Sequence, residues 1–239
     1  MNCQFCFTGR RGLLGNLSTA QIIEQPQPRP QQSQQAPPPI TNLVFMGMGE
    51  PLHNPTAVFA AIDILAHRHG LAMSPSRVTL STVGLLPQLQ HFLDSSRGEG
   101  GRARVCLAVS IHAGTDELRG AIVPSNTRLS LPPAGFSPSN NTIRPLRAGR
   151  YVLFEYTLLR GVNDRPEDAA ALLEATKDIE CSFNLIMFNP FPGTLYSPST
   201  PERLLAFQKV LWAAGRIVHV RLSKGDDGMA ACGQLGDVG

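Results

Sequence analysis

Six short runs dominated by Val, Ile, Leu and Phe punctuate the chain, at 42–47, 77–81, 104–111, 151–159, 183–188 and 216–222. Between several of them the apolar positions spread out at helical spacing. Residues 55–69 have such a spread, with Asn54 placed as an N-cap, Pro166 occupies a first helical position after Asp164, and 202–214 reads as a further helix. Strand and helix alternating in this way predict a parallel sheet with helices packed outside, as an open sheet or a barrel. Ligands of such folds bind beyond the carboxyl ends of the strands, so the turns there are where function is expected. Two segments interrupt the rhythm. Residues 26–39, PQPRPQQSQQAPPP, have no apolar periodicity and predict a flexible, partly polyproline II spacer. Residues 129–150 carry prolines and polar residues where the alternation calls for a helix, and predict a loop.

Composition narrows the class. A chain of 239 residues with 42% hydrophobic content buries a substantial core, and one domain spanning 1–239 is expected. A formal charge of +3 permits RNA binding without arguing for it. The five cysteines, at 3, 6, 106, 181 and 232, are odd in number and lack a disulfide framework, which favours a reducing interior such as the cytoplasm. No run approaches about 18 apolar residues, so no membrane partner is expected. The N-terminus lacks a secretory signal; a plastid or other organelle stays open if a targeting segment lies upstream.

Candidate chemistry begins at Cys3-Gln4-Phe5-Cys6. Two thiols at this spacing suit a zinc half-site, a thioredoxin-like redox pair or part of an iron–sulfur ligand set. A structural zinc site needs four ligands and the other cysteines are isolated, while a redox pair belongs in a smaller fold. Cys106 and Cys181 lie in or beside apolar runs and read as core residues. Arg10-Arg11 and Arg144, Arg147 and Arg150 suit either phosphate contacts or solvated loops.

Further motifs follow in order: Gly47-Met48-Gly49-Glu50-Pro51-Leu52, Leu80-Ser81-Thr82-Val83-Gly84, Ala108-Val109-Ser110-Ile111-His112-Ala113, Gly161-Val162-Asn163-Asp164, Phe188-Asn189-Pro190-Phe191-Pro192-Gly193, and Gly225-Asp226-Asp227 before Ala231-Cys232-Gly233-Gln234-Leu235. With the cysteine pair they make seven ordered motifs covering nearly the whole chain. The set resembles the radical S-adenosylmethionine (SAM) enzymes that methylate C2 of adenine in ribosomal and transfer RNA.

The resemblance implies a partial parallel (β/α) barrel of the radical SAM type, lacking the first strand. It implies a 4Fe-4S cluster held by a CxxxCxxC loop, in which Cys3 and Cys6 match the second and third ligands and the first would precede Met1. It implies S-adenosylmethionine bound by Gly49, Glu50, Ser81, Ser110, Ile111, His112 and Asn189: the glycine lets the backbone approach, and the carboxylate accepts from the cofactor's ammonium. Bland readings stand beside these, a tight turn for Gly49-Glu50, structural strand ends for Ser81 and Ser110–His112, and a turn initiator for Asn189. Cys232 matches the cysteine that accepts a methyl group from one SAM; in the family a second SAM, cleaved at the cluster, yields a 5'-deoxyadenosyl radical that activates that methyl for addition to adenine. The expected partners are ribosomal or transfer RNA and an external electron donor, with the chain a monomer.

Departures from the family pattern set a second expectation. No residue matches the family's resolving cysteine, the loop at 129–150 stands in place of a helix, and Gly228 occupies a position where a larger apolar residue is usual. With one cluster ligand and the resolving cysteine unmatched, impaired turnover of this chain alone, as a truncated gene product, is expected; the loop and Gly228 bear on local packing and the fit around Cys232, and an uncovered strand edge predicts poor solubility. The alternatives are a non-catalytic SAM- or RNA-binding remnant, or a radical SAM enzyme with a non-RNA substrate.

Overall fold

A computed structural model describes residues 1–26, 39–96, 105–124 and 152–221. The spacer expected at 26–39 lies almost wholly outside these residues, and the loop at 129–150, Gly228 and Cys232 lie outside them altogether. Each of the six apolar runs overlaps a strand, with β2 running one residue past its run and β5 starting two residues before its run: β1 (Leu43–Phe45), β2 (Val78–Thr82), β3 (Cys106–Ser110), β4 (Val152–Leu158), β5 (Cys181–Met187) and β6 (Ile217–Arg221). They form one parallel sheet in sequential order, β1 to β6. The sheet is open, a curved wall of a barrel. Its curl brings Arg221, at the end of β6, close enough to donate to the sulfur of Met46, just past β1, at 3.7 Å.

The helices that return the chain between strands pack on the convex face. The first two, α1 (Phe7–Arg10) and α2 (Thr19–Glu24), precede the sheet. Then come α3 (Pro55–Ala66), α4 (Leu86–Ser95), α5 (Asp116–Ile122), α6 (Pro166–Ala175) and α7 (Pro201–Ala213). The sequence explains α3 well: Pro55 opens it where no intrahelical donor is needed, and Val58, Phe59, Ala61, Ile62 and Leu65 make one buried stripe. Asn54 stands at the N-cap position but gives no capping bond; its Nδ2 instead donates to Leu17 O at 2.7 Å, tying the N-terminal segment to the sheet. At α7 the expected start moves one residue earlier, because the Thr200 hydroxyl accepts from the amide of Arg203.

Alternation along the strands sorts the two faces. Leu80, Leu107, Val109, Phe154, Tyr156, Phe183 and Leu185 join Leu89, Phe92, Leu172, Phe207 and Leu211 from the helices in the main core. Full burial of each such side chain is worth about 1.5–3 kcal/mol. The other face carries Ser81, Ser110, Glu155 and Asn184, a polar concave surface that a closed apolar barrel interior would not tolerate. Cys181 is core as expected, its thiol pushed up to about 11 by burial, whereas Cys106 is only half-buried and donates to Ser76 O. No described helix is long and apolar enough to cross a membrane.

Candidate functional site at the carboxyl ends of the strands

The turn after β1 runs through Gly49, whose φ of +86° is a backbone state that side chains resist; a Cβ there would meet nothing within 4 Å, so the space above the turn is open. Glu50 follows, buried, and its carboxylate is a hub. One oxygen accepts from the Leu52 amide (2.9 Å) and the Thr82 hydroxyl (2.7 Å), the other from the Val83 amide (2.8 Å). Burial raises its pKa above the ordinary carboxylate value, against the pull of those donors. The second oxygen has taken one donor and can take another.

At the end of β3, His112 holds a positive φ of 58°, uncommon for a side-chain residue. Its Nδ1 accepts from the Thr157 amide at 3.0 Å, which assigns the proton to Nε2. Burial, reinforced by Arg119, pushes its pKa down to about 3, so the ring is neutral at pH 7. Ile111 serves through its backbone: its amide donates to Glu155 O, and its carbonyl accepts from Arg119 Nε at 2.9 Å. The same guanidinium donates through Nη2 to Val83 O (2.8 Å) and Ser110 O (3.1 Å). Arg119, 1% exposed, thus pins the ends of β2 and β3 together. Burial lowers its pKa to about 10, which leaves it charged at neutral pH.

The cysteine segment lies across these ends. The Gln4 amide donates to Ile122 O at the end of α5, Phe5 meets the His112 ring edge-on at 4.7 Å, and Phe7 packs on Phe191 past β5. Cys6 N donates to Cys3 O at 3.1 Å, closing a tight turn that sets both thiols on one loop. Burial first, then Cys6, push the Cys3 thiol up to about 11, with Glu50 close enough to add to the effect. Arg10 donates to Gly193 O at 2.9 Å and lies over the Phe191 ring, so this arginine clamps the segment down rather than offering itself to phosphate. Asn189 is buried at the end of β5.

Gly161-Val162-Asn163-Asp164 supports the site from β4. Asn163, fully buried, donates to the carbonyls of His112 and Thr157 and accepts from the Leu159 amide. Asp164 accepts from the Gly161 amide, the Ser199 hydroxyl and Arg203. Burial would raise its pKa, but those bonds outweigh it and hold the carboxyl below its ordinary 3.8. A depressed folded value contributes stability above the unfolded pKa, lost as pH falls through the folded one. Asp164→Asn is therefore expected to lower the unfolding free energy by about 1–3 kcal/mol at pH 7. Urea midpoints measured down through pH 3.8 should show that deficit shrinking.

The structure thus gathers Cys3, Cys6, Glu50, Ser81 and Ser110 to His112 at one rim, with Asn189 at the end of β5. Three contributors escaped the sequence reading. Glu155 had a signal, as the one charge inside the apolar run 151–159. The Asn163 side chain was visible only as part of a motif, and Arg119 had no signal, since nothing in Asp116–Ile122 distinguishes a buried arginine from an exposed one.

No family model matches the chain. Curated relatives do: it is 42% identical over 236 residues to the dual-specificity RNA methyltransferase RlmN of Magnetococcus marinus, covering 98% of this chain and 63% of the relative. It is 41% identical over 240 residues to the RlmN of Phenylobacterium zucineum, covering 98% and 60%. A solved radical SAM methyltransferase from Sphaerobacter thermophilus superposes with a TM-score of 0.82 at 35% identity, over 98% of this chain and 66% of that one. The chain spans about three-fifths of the length of the first two relatives.

Proposed function

Since this chain belongs to the family of radical SAM RNA methyltransferases, we propose that it carries the catalytic barrel of an enzyme that methylates C2 of adenine in ribosomal or transfer RNA, with Cys232 as methyl carrier. The observation that carries this reading is the convergence of the cysteine loop, the Glu50 turn and the Ser110–His112 strand end on one rim, in a chain matched over 98% of its length by such methyltransferases.

The described residues suit S-adenosylmethionine. The open turn at Gly49 admits an aminoacyl group, the uncommitted lone pair of Glu50 can take its ammonium, and the neutral His112 presents Nε2–H as a donor. Arg119 and Asn163 hold these groups in place through backbone carbonyls. Radical SAM methyltransferases use a 4Fe-4S cluster as well as SAM, and Cys3 and Cys6 supply two thiols toward it. Among the described residues no group of three His, Cys, Asp or Glu side chains that could hold a metal is present.

The second reading is a SAM-binding chain without turnover. One experiment separates the two. The purified chain is incubated anaerobically with iron, sulfide, a reductant, SAM and ribosomal or transfer RNA, and bound iron, bound SAM, 5'-deoxyadenosine and 2-methyladenosine are measured. The enzyme reading expects both products, with 2-methyladenosine lost in Cys232→Ala. SAM bound without iron or product supports the second reading, and absence of SAM binding overturns both.

A further inference from the structure

Two loops beside the cysteine turn carry leucines that stand open to solvent. The first, residues 11–17, leaves α1 and holds Leu13 at 73% and Leu14 at 76% exposure. Its two ends are fixed: the Arg11 amide donates to Thr8 O, Asn54 Nδ2 donates to Leu17 O, and Ser18 caps α2. The second loop, residues 193–197, puts Leu195 out at 96% exposure. It is braced by the Thr194 amide on Phe191 O, the Tyr196 amide on the Thr194 hydroxyl and the Arg160 amide on Ser197 O. Arg10 donates to Gly193 O and Phe7 packs on Phe191, so the two loops rise from one root, next to Cys6.

Single exposed leucines are ordinary, but three on two braced loops make a lasting apolar surface, and the charges around it narrow its occupant. The segments that build this side, 1–23, 157–163 and 181–201, contain no aspartate or glutamate. They do contain Arg10, Arg11 and Arg160. Arg10 is committed to Gly193 O and the Phe191 ring, whereas Arg11 and Arg160 are exposed. The first acid after Arg160, Asp164, is fully buried and bonded to Arg203. Cations with no acid among them, set beside apolar tips, suit an anionic polymer that offers apolar faces, which is unpaired nucleic acid. In a duplex the bases lie inside the stack, and the same face would reach phosphates alone. A second copy of this face would bring arginine to arginine, which disfavours self-association.

We propose that the 11–17 and 193–197 loops form the docking face for unpaired RNA, with Leu13, Leu14 and Leu195 against bases and Arg11 and Arg160 on phosphates. This rests on the reading of the chain as an RNA methyltransferase, and adds which surface takes the RNA and that the RNA there is single-stranded.

Fluorescence anisotropy of the whole chain with two labelled RNAs tests it: a hairpin whose loop carries unpaired adenines, and a fully paired duplex of equal length, each titrated over a range of potassium chloride concentrations. The wild-type chain should bind the hairpin about 10-fold more tightly than the duplex. The triple variant Leu13→Ser, Leu14→Ser, Leu195→Ser should lose most of that preference while its salt dependence stays unchanged. Arg11→Ala and Arg160→Ala should each weaken both RNAs and lower the slope of log affinity against log salt by about 0.7–0.9. All five side chains are exposed, so each variant should keep the wild-type urea midpoint. The proposal is overturned if the leucine variant keeps the hairpin preference, or if the arginine variants keep both affinity and slope. It is also overturned if sedimentation velocity shows the wild-type chain self-associating and the leucine variant monomeric with RNA binding intact, which would give the face to a second copy. A wild-type chain that binds RNA without preferring the hairpin sinks this proposal alone, whereas one that binds neither RNA sinks the RNA reading beneath it.

Discussion

Replacing Asn163 by alanine is expected to lower the unfolding free energy by about 3–5 kcal/mol. The side chain is fully buried and serves three backbone groups: the carbonyls of His112 (2.9 Å) and Thr157 (2.8 Å) and the amide of Leu159 (2.7 Å). Alanine leaves all three without that partner in a region water does not reach, and an unsatisfied buried polar group costs about 1–3 kcal/mol each. Asn163→Asp should not rescue it, because a carboxylate accepts from Leu159 but repels the two carbonyls. Urea unfolding of both variants measures the cost. The effect also reaches the rim: His112 has a positive φ, and losing the bond to its carbonyl releases a strained residue. An Asn163→Ala chain within about 1 kcal/mol of wild type would mean that these bonds contribute far less than their burial implies.

Glu50→Gln is expected to be about as damaging as Glu50→Ala, a loss of about 2–4 kcal/mol together with most SAM binding. The substitution looks conservative, yet both carboxylate oxygens already accept from backbone amides, Leu52 on one side and Val83 on the other. Whichever oxygen becomes an amide NH2 faces an N–H, so one donor is stranded in either orientation. The charge also has a pH signature. Because the folded pKa lies above the ordinary 4.5, ionised Glu50 costs stability as pH rises from that value through the folded one. A ligand ammonium offsets that cost only when the carboxylate is charged. The rise in melting temperature on adding SAM should therefore be larger above that window than below it. A pH-independent rise in wild type, or a Glu50→Gln chain that binds SAM normally, would contradict the role given to Glu50.

Much of the fold was legible because its strands are apolar where they meet the helices. The runs at 42–47 and 151–159 predicted β1 and β4 without reference to anything distant, since alternation and β-branched content are local properties. Helices α4 and α5 were less visible: α4 has only Leu89, Phe92 and Leu93 as its buried stripe, and α5 spans seven residues. The cysteine pair, the Glu50 turn and Ser110 to His112 could be singled out because they fall in motifs whose order along the chain resembles that of a known family; taken one at a time, each also reads as an ordinary turn or strand end. The use each residue makes of its polar atoms could not, because a hydrogen-bond partner far along the chain, 32 positions away for Thr82 and Glu50 and 183 for Arg10 and Gly193, leaves no local trace. Arg10 illustrates the limit, a phosphate candidate by composition that the structure commits to Gly193 O and the Phe191 ring.

The sequence by itself determined the parallel α/β architecture and the family, and pointed to the carboxyl ends of the strands as the candidate site, because hydrophobic periodicity and motif order are written along the chain. Tertiary structure alone decided that Arg119 ties two strand ends, that Asn163 carries the His112 carbonyl, and that Ser81 points its proton at Glu155. Those assignments depend on which buried donor finds which acceptor once the sheet curves, and curvature is set by all six strands together.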